Sequence, residues 1–142
     1  MILYCDTSAL LKLYINEDQT DQIIQSVNEA NAVLTHLIAY AELRASLAKA
    51  QRMGRITENE LQDLTRDVDE DWRTFHILAV DQSLVSSAGA MAEHHRLRGY
   101  DSVHLAAAEF AFRSVGEPEY FRFAVFDKQL GKAANRIGIQ TL

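Results

Sequence analysis

The amino-acid sequence predicts an α/β domain built on a mostly parallel sheet. Short apolar runs, typical of buried strands, recur along the chain, and longer segments with helical signals separate them. This alternation is the pattern of strand–helix–strand units, whose strands run parallel. The chain has 142 residues and shows no repeat, low-complexity tract or linker. We therefore expect a single domain over residues 1–142.

The first half of the chain contains two predicted strands and four predicted helices. The strands are short apolar runs, and the long helix after the second one ends at Gly54, a residue type that favours helix C-termini. Thr57 and Glu60 form a capping box that begins the next helix. The predicted elements are a strand at 1–5, helices at 8–14 and 20–29, a strand at 32–35, and helices at 37–53 and 57–73.

The second half of the chain continues the alternation. Asp81 follows a third apolar run as the N-cap of a helix, Gly99-Tyr100 interrupts the helical signal, and Pro118 lies in a short loop. The predicted elements are a strand at 75–80, helices at 81–98 and 101–115, a strand at 121–126, a short helix after Asp127 and a final strand at 139–141.

Composition excludes several classes of protein. The hydrophobic fraction of 48% and the charged fraction of 24% are those of a globular protein, and no apolar run approaches the roughly 20 residues that span a bilayer. The N-terminus has no signal-peptide pattern, and the single Cys5 excludes an internal disulfide and a multi-cysteine zinc site. We expect a cytoplasmic protein with no membrane partner. The net charge of −6 argues against binding nucleic acid mainly through counterion release, but a carboxylate-rich metal site is compatible with it.

Three aspartates each follow a predicted strand. Asp6, Asp81 and Asp127 are all plausible N-caps, because an aspartate oxygen accepts a hydrogen bond from the free N–H groups of a helix start. The carboxyl ends of strands in an open parallel sheet are also where ligands bind. Local sequence therefore leaves both interpretations open for Asp6 and Asp127.

Two further acids lie in predicted helices. Glu42 shares a helix face with the small or apolar residues Ile38, Ala41, Ala45 and Ala48. A carboxylate on such a face is costly unless it binds a metal or forms a buried ion pair, for example with an arginine. Asp101 opens its helix and is another plausible N-cap. We expect His104, one turn further on, to hydrogen-bond its neighbours rather than to ligate a metal.

The order and setting of these acids resemble a known pattern, that of PIN domains and specifically the VapC group of bacterial and archaeal toxins. The resemblance covers essentially the whole chain. It rests on Tyr4-Cys5-Asp6-Thr7-Ser8-Ala9-Leu10, Tyr40-Ala41-Glu42-Leu43, Leu97-Arg98-Gly99-Tyr100-Asp101-Ser102-Val103-His104-Leu105-Ala106-Ala107-Ala108, and Phe126-Asp127-Lys128-Gln129-Leu130 with Ala133-Ala134 and Gly138.

The resemblance implies a PIN-like fold, with a parallel sheet of strand order 3-2-1-4-5 and helices on both faces. Ser8 fills the place of a hydroxyl or amide residue that the family usually has, and it would support the site by orienting Asp6 or a metal-bound water. Asp81 follows an edge strand in this order, so we interpret it as a cap. The acids at the family's matching positions, which should converge on one catalytic pocket, are Asp6, Glu42, Asp101 and Asp127.

Carboxylate oxygens suit Mg²⁺ or Mn²⁺, and Mg²⁺ usually takes only one or two carboxylates directly. We therefore assign Asp6 and Asp101 as direct ligands, with Glu42 and Asp127 acting through water or a second ion. Cations near the acids could contact the substrate, although scattered surface charges are normal and none is assigned a role. These cations are Lys12, Arg44, Arg98 and Lys128.

The function implied is that of a metal-dependent endoribonuclease, the toxin of a type II toxin–antitoxin system. Its expected partners are an RNA substrate, an antitoxin that covers the active site, and a second copy in a homodimer, with an apolar surface groove for a partner helix. The alternatives are a PIN ribonuclease of RNA processing and a non-catalytic RNA-binding or scaffold PIN domain.

Two other classes place an aspartate after a first strand. A haloacid-dehalogenase type of phosphoryl transfer usually has a second aspartate two residues on, where this chain has Ser8. A receiver-type phospho-acceptor domain gives no reason for Glu42 inside an apolar helix face. Both classes fit the sequence less well than a nuclease does.

Overall fold

The computed structural model describes residues 1–142 and alternates strands with helices. A single 3₁₀ turn, Pro118–Tyr120, precedes the last strand. The elements are β1 (Ile2–Cys5), α1 (Thr7–Leu11), α2 (Thr20–Glu29), β2 (Ala32–His36), α3 (Ala39–Arg52), α4 (Glu58–Trp72), β3 (His76–Leu78), α5 (Gln82–His95), α6 (Gly99–Val115), β4 (Phe121–Ala124) and α7 (Lys128–Arg136).

The sheet is parallel throughout, with the order β3-β2-β1-β4. The expected order 3-2-1-4-5 is confirmed for these strands, but the fifth strand is reduced to one bridge between Thr141 and Phe123. Two backbone hydrogen bonds, from Phe123 to Gln140 and from Leu142 to Phe123, hold this segment beside β4. The segment is too short to count as a strand, so β4 is the last full strand on that side.

Two hydrophobic clusters lie on opposite faces of the sheet. Alternate residues of β1 point to opposite sides, so Leu3 and Cys5 join one cluster and Tyr4 joins the other. The first cluster includes buried residues of α1 to α4, and the second includes buried residues of α6 and α7. Helices therefore cover both faces, as expected for an α/β sheet. None of the helices is both long and apolar enough to cross a membrane.

Several predicted helix ends are correct because the capping signals are local. Thr57 and Glu60 form the capping box, and the Asp81 carboxylate accepts from the Leu84 N–H at 2.9 Å. Several boundaries differ. Strand β3 covers His76–Leu78 rather than 75–80, α1 covers Thr7–Leu11 rather than 8–14, and β4 ends at Ala124 rather than at 126. Helix α5 ends at His95, where Arg96 takes a left-handed conformation with φ of 55°, and α6 begins at Gly99 rather than at Asp101.

The buried face of α3 is not the one that the sequence suggested. Ala41 and Ala45 are exposed, and Ile38 is 40% exposed. The residues that face the core are Ala39, Leu43, Leu47 and Ala50. A helix rich in alanine carries a weak apolar stripe, so larger side chains decide which face is buried. Glu42 therefore lies at the border of the core, half-buried, rather than at the centre of an apolar face.

Candidate active site

Asp6 lies at the carboxyl end of the central strand β1. Its side-chain Oδ1 accepts a hydrogen bond of 2.7 Å from the Ala9 N–H, so it is the N-cap of α1. Its own N–H continues the pairing with β4 by donating to the Ala124 carbonyl at 3.3 Å. The residue is only 4% exposed. Asp6 is thus both a cap and a buried acid at the ligand-binding edge of the sheet.

Glu42, in the first turn of α3, receives several hydrogen-bond donors on one oxygen. The Thr7 hydroxyl donates to Glu42 Oε1 at 3.0 Å, and His104 Nε2 lies 3.2 Å from the same oxygen. His36 Nε2 lies 3.7 Å away and has no hydrogen-bond partner. All these contacts are made by Oε1, so Oε2 is the oxygen free of them.

His104 is buried in α6, beside Tyr4, Thr7 and Glu42. The Tyr4 hydroxyl lies 3.1 Å from His104 Nδ1, and the Thr7 hydroxyl lies 3.1 Å from His104 Nε2. Because Nε2 faces a carboxylate oxygen, it carries the proton, and Nδ1 then accepts from Tyr4. The prediction that His104 hydrogen-bonds residues near it in the helix was wrong, because its partners come from β1, α1 and α3.

The side chains of His36, Glu42 and His104 bring potential metal-ligating atoms within 4.8 Å of one another. The His36 Nδ1 accepts from the Ala39 N–H at 3.2 Å, so in the neutral ring Nε2 carries the hydrogen. Burial first, and then the neighbouring His104, lower the pKa of His36 to about 3, so the ring is neutral. A protonated Nε2 has no lone pair for a metal. Of the two histidines, only His104 is within hydrogen-bonding distance of Glu42, and His36 Nε2 faces the same oxygen at 3.7 Å.

Asp101, in the first turn of α6, completes a group of three acids. It faces a cavity of about 290 Å³ in which Glu42 also lies, and Arg98 Nε lies 3.2 Å from Asp101 Oδ2. Ser8 is exposed and lines the same cavity. The full lining is Thr7, Ser8, Glu42, Ser46, Arg98, Tyr100 and Asp101.

The charges around Asp6 favour a cation. Burial, with additional repulsion from Asp101 and Glu42, raises the pKa of Asp6 to about 6, against opposing effects of His104 and the Ala9 N–H. Burial also acts to raise the pKa of Glu42, but the hydrogen bonds from His104 and Thr7 hold it below its usual value. Three acids with only one adjacent arginine form an oxygen donor set that fits Mg²⁺ or Mn²⁺.

Asp127 lies at the same edge of the sheet but is exposed and outside the cavity lining. Its Oδ1 accepts from the Leu130 N–H at 2.9 Å, so it is the N-cap of α7. Asp6 is also absent from the cavity lining, but it is buried, and Glu42 and Asp101 raise its pKa. The structure thus brings Asp6, Glu42 and Asp101 near one another, and Asp127 is exposed outside this group. Asp81 caps α5 after the edge strand β3 and lines a different cavity.

The cations suggested by sequence proximity differ in their positions. Lys12 is buried and pairs with Glu17 at 3.2 Å, and Arg44 is exposed and packs on the Tyr40 ring. Only Arg98 lines the cavity with the acids, whereas Lys128 is exposed on α7. Sequence proximity was therefore a poor guide for Lys12 and Arg44.

Sequence reasoning missed the donors that surround Glu42. Thr7 stands inside the first motif, so its place beside Asp6 could have indicated a role. Tyr4, which contacts His104 rather than Glu42, looked like an ordinary strand residue. His36 ends β2 just before α3, so its place in the chain close to Glu42 could have indicated that the two meet.

The model of the PIN domain family matches residues 3–114. The chain belongs to the PIN domain family. Two relatives of this PIN domain, Ribonuclease VapC45 and Ribonuclease VapC49 of Mycobacterium tuberculosis, are each 35% identical to it over 137 residues, 96% of this chain and 92% of theirs. Ribonuclease VapC3 of Pyrobaculum aerophilum is 31% identical over 111 residues, 77% of this chain and 82% of that protein.

Solved structures share the fold of this PIN domain at low sequence identity. The toxin VapC20 of Mycobacterium tuberculosis, described as cleaving the sarcin-ricin loop, superposes with a TM-score of 0.66 at 15% identity, covering 92% of this chain and 94% of its own. FitAB bound to a DNA fragment superposes with a TM-score of 0.72 at 15% identity, covering 100% of this chain and 94% of its own. The PIN-like fold expected from the sequence is confirmed.

Proposed function

We propose that this PIN domain is a metal-dependent endoribonuclease and the toxin of a type II toxin–antitoxin system. The observation that carries the proposal is that Glu42 and Asp101 line one cavity while the buried Asp6, at the carboxyl end of β1, lies near enough for both acids to raise its pKa. The ribonuclease relatives, which align along most of the chain, support the same activity.

The residues that would hold a divalent cation are Asp6 and Asp101 directly, with Glu42 and Asp127 acting through water or a second ion. Such a cation, Mg²⁺ or Mn²⁺, lowers the pKa of bound water and neutralises charge on the phosphate. The catalytic set would thus comprise the grouped acids together with the exposed Asp127.

The protein's own groups would position the reactants. Since Glu42 Oε1 is occupied by donors from Thr7 and His104, Oε2 is the oxygen available to accept a proton from the attacking water. The Ser8 hydroxyl lines the cavity and can orient that water. Arg98 faces the same space and offers positive charge to the phosphate.

The proposed assembly contains a homodimer and an antitoxin that covers the active site. Toxin–antitoxin complexes among the structural neighbours, including one from Klebsiella pneumoniae, are consistent with such a partner. An RNA-cleaving toxin meets its substrate in the cytoplasm, which is the location that we propose. We further propose that residues 1–142 act as a single domain.

The decisive experiment is cleavage of total RNA by the purified protein with Mg²⁺, with Mn²⁺ and with EDTA. We expect cleavage with either ion, none in EDTA, and at least a hundredfold loss in Glu42→Gln, as is common for general bases. Cleavage indifferent to EDTA, or full activity in Glu42→Gln, would exclude this function. Rescue of cell growth by a co-expressed neighbouring antitoxin would separate a toxin from a processing ribonuclease.

A further inference from the structure

A second cavity adjoins the acidic one. The acidic cavity holds about 290 Å³, and a neighbouring cavity of about 330 Å³ is lined by Leu11, Ser46, Lys49, Ala50, Met53 and Arg55. Ser46 lines both. Its hydroxyl donates to the Glu42 carbonyl at 2.9 Å and is thereby held against α3. Because Ser46 lines both, the two cavities adjoin along α3, and we call them together the α3 groove.

One stripe of α3 forms the floor of this groove. Glu42, Ser46, Lys49 and Met53 follow one another at spacings of four, three and four residues, so they lie in a line along the helix. The stripe extends about 16 Å from Glu42 to Met53, and Lys49 lies about 10 Å along it. This length accommodates a short stretch of single-stranded RNA, on the order of five nucleotides at a spacing of about 3.4 Å.

The far end of the α3 groove is positively charged and partly apolar. Lys49 is exposed and forms no salt bridge, while Arg55 and Lys12 both pair with Glu17, which neutralises that acid. Met53 is 67% exposed, an unusual state for a large apolar side chain. These cations stand out in a chain whose net charge is −6.

The positive region is short. The next cavity along the surface shares Arg55 but is lined by Glu60 and Asp63. An RNA strand that leaves the acids along α3 therefore meets Lys49 and Arg55 and is then repelled.

We propose that the α3 groove binds the nucleotides of single-stranded RNA that flank the scissile bond on one side. Lys49 and Arg55 contact a phosphate, and a base packs on Leu11 and Met53. Cationic grooves with an adjacent apolar surface bind single strands in this way, through phosphate charge and base packing. The inference rests on the proposed ribonuclease activity and adds the path of the substrate and the residues that fix it.

The test compares Lys49→Ala with Lys132→Ala, which removes the same charge from an exposed lysine of α7 outside the groove. Rates of total-RNA cleavage are measured against RNA concentration at several salt concentrations. We expect a roughly tenfold lower kcat/KM in Lys49→Ala, because one charged contact to phosphate is lost. The decrease should come from a higher KM rather than a lower kcat. The slope of log(kcat/KM) against log salt should fall by about 0.7. Lys132→Ala should have the kcat/KM of the wild-type protein, and Lys49→Arg should retain most of that value.

A second measurement locates the strand directly. Photocrosslinking of 4-thiouridine-substituted single-stranded RNA to the wild-type protein should label residues of the α3 groove, with Met53 among them. Wild-type cleavage combined with equal kinetics for Lys49→Ala and Lys132→Ala would overturn the groove while leaving the nuclease intact. The proposal would also be overturned if Lys49→Ala weakened antitoxin binding without changing RNA cleavage. The groove would then be a protein-docking surface. Absence of wild-type cleavage would remove both the activity and the inference.

Discussion

Asp6 combines a structural and an electrostatic role in one side chain. The Ala9 N–H needs its oxygen as a cap, yet burial and two neighbouring acids disfavour its charge. An asparagine keeps an acceptor oxygen at the cap and removes the charge. The two roles can therefore be separated by one substitution.

We expect Asp6→Asn to stabilise the metal-free protein and to abolish RNA cleavage. The folded pKa of about 6 lies above the usual value of 3.8, so protonated Asp6 favours folding below pH 4, and this contribution is lost as the pH rises through 6. At pH 7.5 the charged side chain costs about 3 kcal/mol at most, and its removal should raise the melting temperature in EDTA by several degrees.

The matched control is Asp81→Asn, another N-cap with the same hydrogen-bond pattern but an exposed side chain. It should leave both the thermal melt and cleavage unchanged. A melting temperature of Asp6→Asn that is equal to or below that of wild type in EDTA at pH 7.5 would contradict the proposed charge repulsion.

His104 is a positioning residue for Glu42, which it contacts from the buried side of the cavity. We expect His104→Leu to lower kcat at least tenfold with little change in KM, because Glu42 loses a donor that fixes its orientation. His104→Gln, whose amide can donate in place of Nε2, should recover part of kcat. Steady-state kinetics of both variants, with melts to verify folding, provide the measurement. Equal kcat values for the leucine and glutamine variants would show that the ring only fills space.

At the level of secondary-structure elements, one arrangement recurs. Helices α1, α5 and α7 each begin with an aspartate N-cap directly after a strand or its extension. The sequence offered all three as N-caps, because a cap depends on neighbouring residues alone. It also offered Asp101 as an N-cap, which was wrong, because α6 begins at Gly99 with Arg98 as its N-cap. It could not rank them by function from local pattern, since burial depends on which strand each aspartate follows.

At Asp127, at the start of α7, the cap role and the proposed catalytic role can be tested separately. If it acts through water or a second ion, Asp127→Asn should retain the α7 cap and lower RNA cleavage less than Asp6→Asn does. Asp127→Ala should lose the cap as well, at about 1 kcal/mol of unfolding free energy. Urea titrations and cleavage rates of the two variants separate the effects. Wild-type cleavage by Asp127→Asn would make Asp127 a cap alone.

For α3 as well, local sequence predicted the helix but not the contacts that its residues make. The predicted helix was correct, and Glu42 was correctly selected as an acid that needed an explanation. Its hydrogen-bond partners Thr7 and His104 could not be predicted, because they lie on α1 and α6, which only the tertiary fold brings beside α3. The resemblance to PIN domains supplied the sheet order, and the alternation of strands and helices alone would not have.

At the scale of the whole molecule, the second sheet face presents an apolar groove that the fold leaves open. A cavity of about 490 Å³ lies between β3, α5 and α6, with Leu78, Leu84 and Phe110 in its lining. Phe110 is 61% exposed and Val85, on α5, is 50% exposed. Exposed apolar surface of this kind marks an interaction site in soluble proteins.

We expect the protein to be a homodimer that uses this surface. Light scattering should give a dimer mass for wild type and a monomer for Phe110→Asp, which places a charge in the contact. Ile24→Asp, a change at an exposed apolar residue on α2, is the control and should remain dimeric. A wild-type monomer at high concentration, or a dimeric Phe110→Asp, would contradict this assembly and leave the nuclease unaffected.

The rate at which Cys5 reacts with a thiol reagent can report how often the sheet opens. The thiol is fully buried, lies one residue before Asp6, and burial raises its pKa far above the usual value. A thiol reagent can therefore modify it only when β1 separates from its neighbours, so the labelling rate reports how often the sheet opens beside the catalytic acids. Divalent cations or an antitoxin that bind the closed site should slow this labelling in proportion to their affinity, without any engineered probe.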